Sequence, residues 1–255
     1  ASATPIRLHS SRRVQLDNLP PLSVYVHIPW CLRKCPYCDF NSHNLPADGV
    51  DENAYLTALE ADLDASLPLI WGRRVVTVFI GGGTPSLFSG AAIDRLLASL
   101  RARLPIIADA EVTMEANPGT FERARFADYR AAGVNRLSLG IQSFSDAKLK
   151  ALGRVHDRAQ ACAAAEAAAE LFETFNLDLM YALPEQTLSE LRADLTQALA
   201  FSPPHFSCYH LTLEPNTLFA RFPPSVPDDD QAAVMQDLLG EMLGDTYRNY
   251  EVSAW

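Results

Sequence analysis

The sequence predicts an α/β fold of parallel strands with outer helices, closed into a partial (β/α)6 barrel. Three observations carry that reading. Short apolar runs alternate with helix-period segments about six times over short connections, the rhythm of a parallel α/β barrel or a doubly wound sheet. The strands read as apolar runs rather than strict alternation, as expected where helices cover one face and a packed interior the other. The residues with chemical potential fall at or just past strand C-terminal ends, which in a barrel form one rim, and this favours a barrel over an open sheet.

Each element follows from its local pattern. Residues 22–28 are a β-rich run stopped by Pro29. Residues 51–67 place Tyr55, Leu59 and Leu63 on one helical face, and 75–80 are an apolar run stopped by three glycines. Residues 91–104 carry Ile93, Leu96, Leu97 and Leu100 at helix spacing. A strand over 111–116 ends at Asn117-Pro118-Gly119, and a helix over 121–132 ends at Gly133, a C-terminal cap. Strand 134–139, the alanine-rich helix 159–171, strand 175–182, helix 188–200 and strand 205–213 continue the rhythm. Residues 215–230, with four prolines, read as a loop, and 231–247 as a helix with Met235, Leu238, Leu239 and Met242 inward. A strand-like segment over 250–255 closes the chain. The expected organisation is a loose arm over 1–21, a barrel over 22–214, and a loop, helix and start of a C-terminal region over 215–255. With no initiator Met and an end inside a strand-like run, the chain is expected to be a C-terminally truncated piece of a longer protein.

Composition narrows the function. Of 255 residues, 48% are hydrophobic and 20% charged, ordinary for a globular chain. Lys plus Arg number 21 against 31 Asp plus Glu, a formal net charge of −10, which argues against general nucleic-acid binding. No apolar run is long enough to span a bilayer, so no membrane span is expected and only peripheral contact is left open. Five cysteines, three of them within eight residues, do not look like a disulfide framework; a metal or cluster site in a reducing, cytoplasmic setting is expected.

Cys31-Leu-Arg-Lys-Cys35-Pro-Tyr-Cys38 is the strongest chemical signal. Three thiolates on one short loop can hold three irons of a cubane and leave the fourth iron without a protein ligand. On ligand count alone, a structural zinc site with His27 or His43 as fourth ligand competes, although zinc loops usually come as two separated pairs. Gly82 and Gly83 let backbone approach a ligand closely, beyond what a strand-ending turn needs. Asp178 sits inside an apolar strand with Leu177, Leu179 and Met180, where a carboxylate needs a partner or a ligand. Cys162 and Cys208 read as small core residues. Residues 228–230, three aspartates, read as a helix N-terminal charge cluster or a solvated loop.

Tyr25-Val-His-Ile-Pro-Trp-Cys31-x3-Cys35-x2-Cys38-Asp-Phe resembles the radical S-adenosylmethionine (SAM) superfamily, whose hallmark is this cysteine spacing. Further segments strengthen the likeness: Phe79-Ile-Gly-Gly-Gly-Thr-Pro-Ser86, Glu115-Ala-Asn-Pro-Gly119, Gly140-Ile-Gln-Ser-Phe144, Leu152-Gly-Arg-Val-His156 and Asp178-Leu-Met-Tyr-Ala-Leu-Pro184. More closely the chain is similar to the haem-chaperone (HemW-like) branch, relatives of oxygen-independent coproporphyrinogen III oxidase. The resemblance implies that Cys31, Cys35 and Cys38 hold a [4Fe-4S] cluster and that SAM chelates its open iron. It implies reductive cleavage of SAM to a 5′-deoxyadenosyl radical. It also implies cofactor contacts: Gly82, Gly83 and Thr84 near the methionyl end, Glu115 to ribose hydroxyls or the amine, and Gln142 to the ribose. Arg154 is implied to pair the SAM carboxylate through its fork. Asp178 and Tyr25 are implied to lie near SAM, and Tyr37 to stack on adenine. No catalytic residue is assigned.

Three functions follow. The first is a radical SAM-type haem chaperone that binds haem and passes it to an acceptor protein, with an electron donor as second partner. The second is the enzyme relative, which decarboxylates coproporphyrinogen III without oxygen. That branch carries a further cysteine two residues past the third, where this chain has Phe40, so the chaperone is favoured. The third is a zinc-stabilised α/β binding domain. The resemblance places a haem-associated His-Asn-x-x-Tyr-Trp motif downstream of Tyr250-Glu-Val-Ser-Ala, past Trp255, so haem binding is expected of the full-length protein.

Overall fold

The computed structural model describes residues 19–70, 72–119 and 122–255. Six strands form one all-parallel sheet in sequential order: β1 (Leu22–Ile28), β2 (Val75–Gly82), β3 (Ile106–Ala116), β4 (Arg136–Gln142), β5 (Thr174–Tyr181) and β6 (His205–His210). β1 and β6 are the two edges. Side chains from both halves of the sheet, Phe79 and Gly82 of β2 and Ser207 and Tyr209 of β6, line the same cavity, so the sheet curls into an open barrel.

Helices cover the outside: α1 (Glu52–Ser66), α2 (Gly90–Arg103), α3 (Glu122–Ala132), α4 (Asp146–Ala151), α5 (Arg158–Leu171), α6 (Leu188–Leu199), α7 (Leu218–Arg221) and α8 (Asp229–Leu243). Their starts are chemically specified. Asp157 with Gln160, Thr187 with Glu190 and Asp228 with Gln231 form reciprocal capping boxes at α5, α6 and α8. The aspartate run over 228–230 is therefore a cap and first turn. The core is the apolar layer between sheet and helices, with Ile80, Ile93, Leu97, Met114, Leu137, Leu177 and Phe206 at or below 1% exposure. Met235, Leu238 and Leu239 of α8 join the same core.

The alternation of strand and helix is as the sequence predicts, with instructive shifts at element ends. β3 starts at Ile106 rather than 111. β4 runs over Arg136–Gln142 rather than 134–139. Gly133 and Val134 instead close α3, both donating backbone N–H bonds to Tyr129 O, and the strand then runs on through Gly140. The loop expected over 215–230 contains the single turn α7, and α4 was not anticipated. Residues 250–255 form no strand of their own. Phe206 and Trp255 exchange backbone bonds of 2.9 and 2.8 Å, Cys208 donates to Ser253 O at 2.8 Å, and the segment covers the edge of β6. Of the arm expected over 1–21, only residues 19–21 are described; Arg73 donates to Pro20 O at 3.0 Å. Among the described residues, no helix is long and apolar enough to cross a membrane.

One buried carboxylate ties the rim to the helical layer. Asp194 of α6, 4% exposed, accepts from Ser143 Oγ at 2.6 Å and from Phe144 N at 2.8 Å. Asp194→Ala strands both donors, and the unfolding free energy is expected to fall by about 3 kcal/mol in urea titration. A loss under about 1 kcal/mol shows that the loop does not depend on this carboxylate.

Candidate functional site

The cysteine loop leaves the C-terminal end of β1. A two-residue ribbon pairs Trp30–Cys31 with His43–Asn44 and ties the loop base together. Residues between the cysteines anchor it. Arg33 Nη2 donates to Gly153 O at 2.7 Å and Arg154 O at 3.2 Å. Lys34 Nζ donates to Phe40 O at 2.8 Å and Ser42 O at 3.1 Å. Gly153, at φ +69°, presses its backbone against the loop; a Cβ there would lie 2.7 Å from Pro36 Cδ. Phe219 N of α7 donates to Pro36 O at 3.0 Å.

A cavity of about 860 Å³ lies beneath this loop, inside the barrel. Cys31, Cys35 and Cys38 all line it, as do Tyr37, Gly82, Gly83, Thr84, Glu115, Gln142, Arg154 and Asp178. Eleven of the twelve residues singled out from sequence thus meet at one site. Tyr25 does not line it: this side chain stands on edge strand β1, 57% exposed, and its hydroxyl donates to His27 Nδ1 at 2.8 Å. Both ring nitrogens of His27 are engaged, Nδ1 by Tyr25 and Nε2 by Asn41 O, and His43 is exposed and does not line the cavity. Among the described residues no three Cys, His, Asp or Glu side chains converge as a single ion needs, with ligand atoms about 2.0–2.3 Å from one centre. A cubane makes no such demand, because each thiolate binds a different corner.

Arg154 is the hub. Its Nη1 donates to Cys35 Sγ at 3.6 Å, and Nη2 donates to Asn117 Oδ1 at 2.5 Å and Gly140 O at 2.7 Å. Asn117 in turn donates through Nδ2 to Thr84 Oγ1 at 2.9 Å. A polar chain therefore runs from the glycine-rich strand end through Asn117 and Arg154 to a cysteine sulfur. Burial pushes the Tyr37 phenol up, against the opposing charge of Arg154. The glycine segment is spent on the protein: Gly83 N donates to Ile28 O, Thr84 N to Trp30 O and Gly82 N to Glu115 Oε2. Gly82, at φ +116°, would bring a Cβ within 2.7 Å of the His27 ring. The glycines thus allow β1, the cysteine loop and β2 to touch at the rim.

The strand interiors supply the acids. Inward positions alternate along β4 and β5, so Ser138, Gly140 and Gln142, and Asn176, Asp178 and Met180, line the cavity while Leu177 and Leu179 face the helices. Asp178 accepts from Ser138 Oγ at 3.1 Å and Asn176 Nδ2 at 2.7 Å. Burial nevertheless raises its carboxyl to about 6. Burial raises Glu115 to about 7, opposed by the Gly82 N–H and reinforced by the Asp178 charge. Gln142 holds φ +68°, a left-handed conformation rare for a side chain that size, and its Oε1 is buried without a partner. Arg154 Nε is likewise buried and unpartnered. Three thiols, two protonatable acids and three orphaned polar atoms, Arg136 Nε being the third, around one cavity suit a cluster and a polar, partly anionic ligand. Sequence reasoning gave Asn117, Ser138, Asn176 and Ser207 no role; the signal was their spacing of two residues from Glu115, Gly140, Asp178 and Tyr209.

The model of the radical SAM superfamily matches residues 25–198. This chain belongs to that superfamily. It is 55% identical over 240 residues to a protein named heme chaperone HemW from Escherichia coli, covering 93% of this chain and 63% of that protein. It is 48% identical over 251 residues to a heme chaperone HemW from Haemophilus influenzae, covering 94% and 64%. The chain thus spans just under two thirds of these relatives. Among solved structures it is similar to coproporphyrinogen III oxidase (HemN) from E. coli, described as a radical SAM enzyme, with TM-score 0.82 and 30% identity over 92% of this chain and 55% of that one.

Unfolded, carboxyls of these types titrate near 3.8 and 4.5; folded, Asp178 and Glu115 titrate at about 6 and about 7. The fold therefore binds their protons more tightly than the unfolded chain does. Their stabilising contribution is complete below about pH 4 and is lost as pH rises through 6 and 7. The double variant Asp178→Asn, Glu115→Gln is expected to lose less stability than the unsubstituted chain between about pH 5 and 8 in urea titrations. Parallel pH profiles show that these acids are not held protonated by the fold.

Proposed function

We propose that this chain is the cluster- and SAM-binding barrel of a haem chaperone. The observation that carries this reading is the single cavity shared by the three loop thiols and the polar ends of β2 to β5. In this reading Cys31, Cys35 and Cys38 hold a [4Fe-4S] cluster whose fourth iron is left for SAM. When bound, the cluster supplies a one-electron reductant beside the sulfonium of SAM. The chain's own residues bind and orient. Arg154, fixed by Asn117 and Gly140 O, keeps its Nε–H for the SAM carboxylate. Gln142 Oε1 is unspent and accepts from a ribose hydroxyl. Glu115, half-protonated near neutrality, both donates and accepts toward ribose or the amine. Asp178, held by Ser138 and Asn176, faces the same ligand, and Tyr37 offers its ring to adenine. Gly82, Gly83 and Thr84 keep the strand end low so that the methionyl group passes over backbone. Tyr25, outside the cavity, borders its open edge.

Haem transfer belongs to this reading through the relatives named heme chaperone, and it concerns the full-length protein. The partners are then haem, an acceptor protein and an electron donor. Five free thiols fit a reducing, cytoplasmic setting. Coproporphyrinogen oxidation is disfavoured because Phe40, 61% exposed at the cavity mouth, stands where that branch carries a further cysteine.

Anaerobic reconstitution is expected to yield four irons and four sulfides per chain with broad visible absorption, which SAM then perturbs. Cys35→Ala is expected to abolish that absorption while the apoprotein still unfolds cooperatively in urea, its midpoint lowered by no more than loss of the Arg154 contact accounts for. Tightly bound zinc without sulfide, or a normal cluster in Cys35→Ala, refutes the ligand assignment. With SAM and dithionite the loaded chain is expected to release no decarboxylated product from coproporphyrinogen III; turnover would move the protein to the oxidase branch.

A further inference from the structure

One of the three sulfurs has a surrounding that the other functional residues do not explain. Lys34 lies between the first two cysteines, half-buried, and its Nζ is fixed by Phe40 O at 2.8 Å and Ser42 O at 3.1 Å. Its backbone N–H donates to Asn44 Oδ1 at 2.8 Å. Among the described residues Lys34 enters none of the ion pairs, so its charge is not neutralised by a carboxylate. Ser42, only 3% exposed, has its Oγ 3.9 Å from Cys38 Sγ and 3.5 Å from Phe40 O, so its one proton turns to the carbonyl or to the sulfur. Its backbone N–H is spent on Phe40 O at 2.7 Å. A buried hydroxyl and a fixed ammonium therefore face the same short segment, which folds back over the third cysteine.

We propose that Lys34 and Ser42 tune the electron affinity of the cluster through Cys38, raising its reduction potential. The inference rests on the cluster reading above. Ligation requires Cys38 as thiolate, which has no proton to give; the Ser42 hydroxyl then donates to Sγ. Uptake of one electron from an external low-potential donor takes the cluster from the 2+ to the 1+ state, with no bond made or broken. The added negative charge spreads over iron and sulfur. A hydrogen-bond donor and an unneutralised cation beside one sulfur stabilise the reduced state more than the oxidised one. Arg154, beside Cys35 at 3.6 Å, acts on a different sulfur and leaves this pair distinct.

Reconstituted chain titrated with dithionite under anaerobic conditions, and followed by electron paramagnetic resonance, tests this. Lys34→Met is expected to lower the reduced-to-oxidised ratio at fixed poise about tenfold, a shift of about 59 mV for one electron. Ser42→Ala is expected to shift the midpoint in the same direction, and Lys34→Arg, which keeps the charge, to leave it in place. Iron and sulfide counts show that each variant compared is fully loaded. If Lys34→Met and Ser42→Ala both keep the original midpoint, the inference is wrong. It is also wrong if Lys34→Arg shifts as far as Lys34→Met, since that outcome reduces Lys34 to a brace. Should Lys34→Met fail to load, the Ser42→Ala midpoint alone decides. An unsubstituted chain that never loads four irons sinks the cluster reading instead, so the two failures are told apart.

Discussion

The site depends on how the cysteine loop is pressed against the turn that follows α4. Arg33 reaches across to the carbonyls of Gly153 and Arg154, and Gly153 lets Pro36 close to within van der Waals contact. Arg154 then returns the contact by donating to Cys35. A loop carrying three thiols is a liability if it moves, because cluster corners demand fixed sulfur positions. The interlock supplies that rigidity from two segments about 120 residues apart in the chain. It also explains why the Leu152–His156 stretch carries a glycine and an arginine in sequence: one permits the approach, the other uses it. Gly153 also serves the turn itself, holding the left-handed position just past the C-cap of α4, whereas the turn alone gives no reason for Arg154.

The barrel interior is built on a second constraint, the two-residue period of a strand. In a parallel sheet covered by helices both faces are buried, and apolar residues are the default on each. Here β4 and β5 keep that default outward and place Ser138, Asn176 and Asp178 inward. The result is a cavity whose wall hydrogen-bonds to itself: Asn176 donates to Ser138 Oγ at 3.0 Å and to Asp178, and Ser207 Oγ to Asn176 Oδ1 at 3.2 Å. Such a network fixes the orientation of Asp178. Burial holds the carboxyl above its ordinary range, against the donors Ser138 and Asn176 and the charge of Arg136.

These two constraints differ in how far they are legible from sequence. Three thiols within eight residues, three successive glycines and a carboxylate inside an apolar strand each break their local pattern, and the thiols, Gly82, Gly83 and Asp178 lie on the cavity. Asn117 also lies there, yet an asparagine before proline already has a local explanation as a turn residue, so its bridge between Thr84 and Arg154 carries no sequence mark. Tyr25 is legible as a strand residue but not as one at the edge of the sheet: its ring stacks on Phe79, which lines the cavity, and stays 57% exposed because β1 is an edge. Element ends shift where an interaction outside the local window decides them. Gly140 lies within β4 rather than ending it, because Arg154 takes its carbonyl and the strand continues to Gln142.

The distribution of unmet hydrogen-bonding capacity separates scaffold from site. Away from the cavity, buried polar groups are paired closely: Asp194 holds two donors below 3 Å, and Lys148 holds the carbonyls of Pro184 and Glu185 with Glu190 beside it. Among the described residues, five buried side-chain atoms lack a partner, and three of them, on Arg136, Gln142 and Arg154, belong to residues lining the cavity. Each such atom costs on the order of 1–3 kcal/mol, and the left-handed backbone at Gln142 adds a similar amount. The unmet capacity is thus concentrated at the cavity wall, with His156 Nδ1 and Gln186 Nε2 the two unpartnered atoms outside its lining. A polar ligand that supplies an acceptor to Arg154 and a donor to Gln142 recovers that cost on binding.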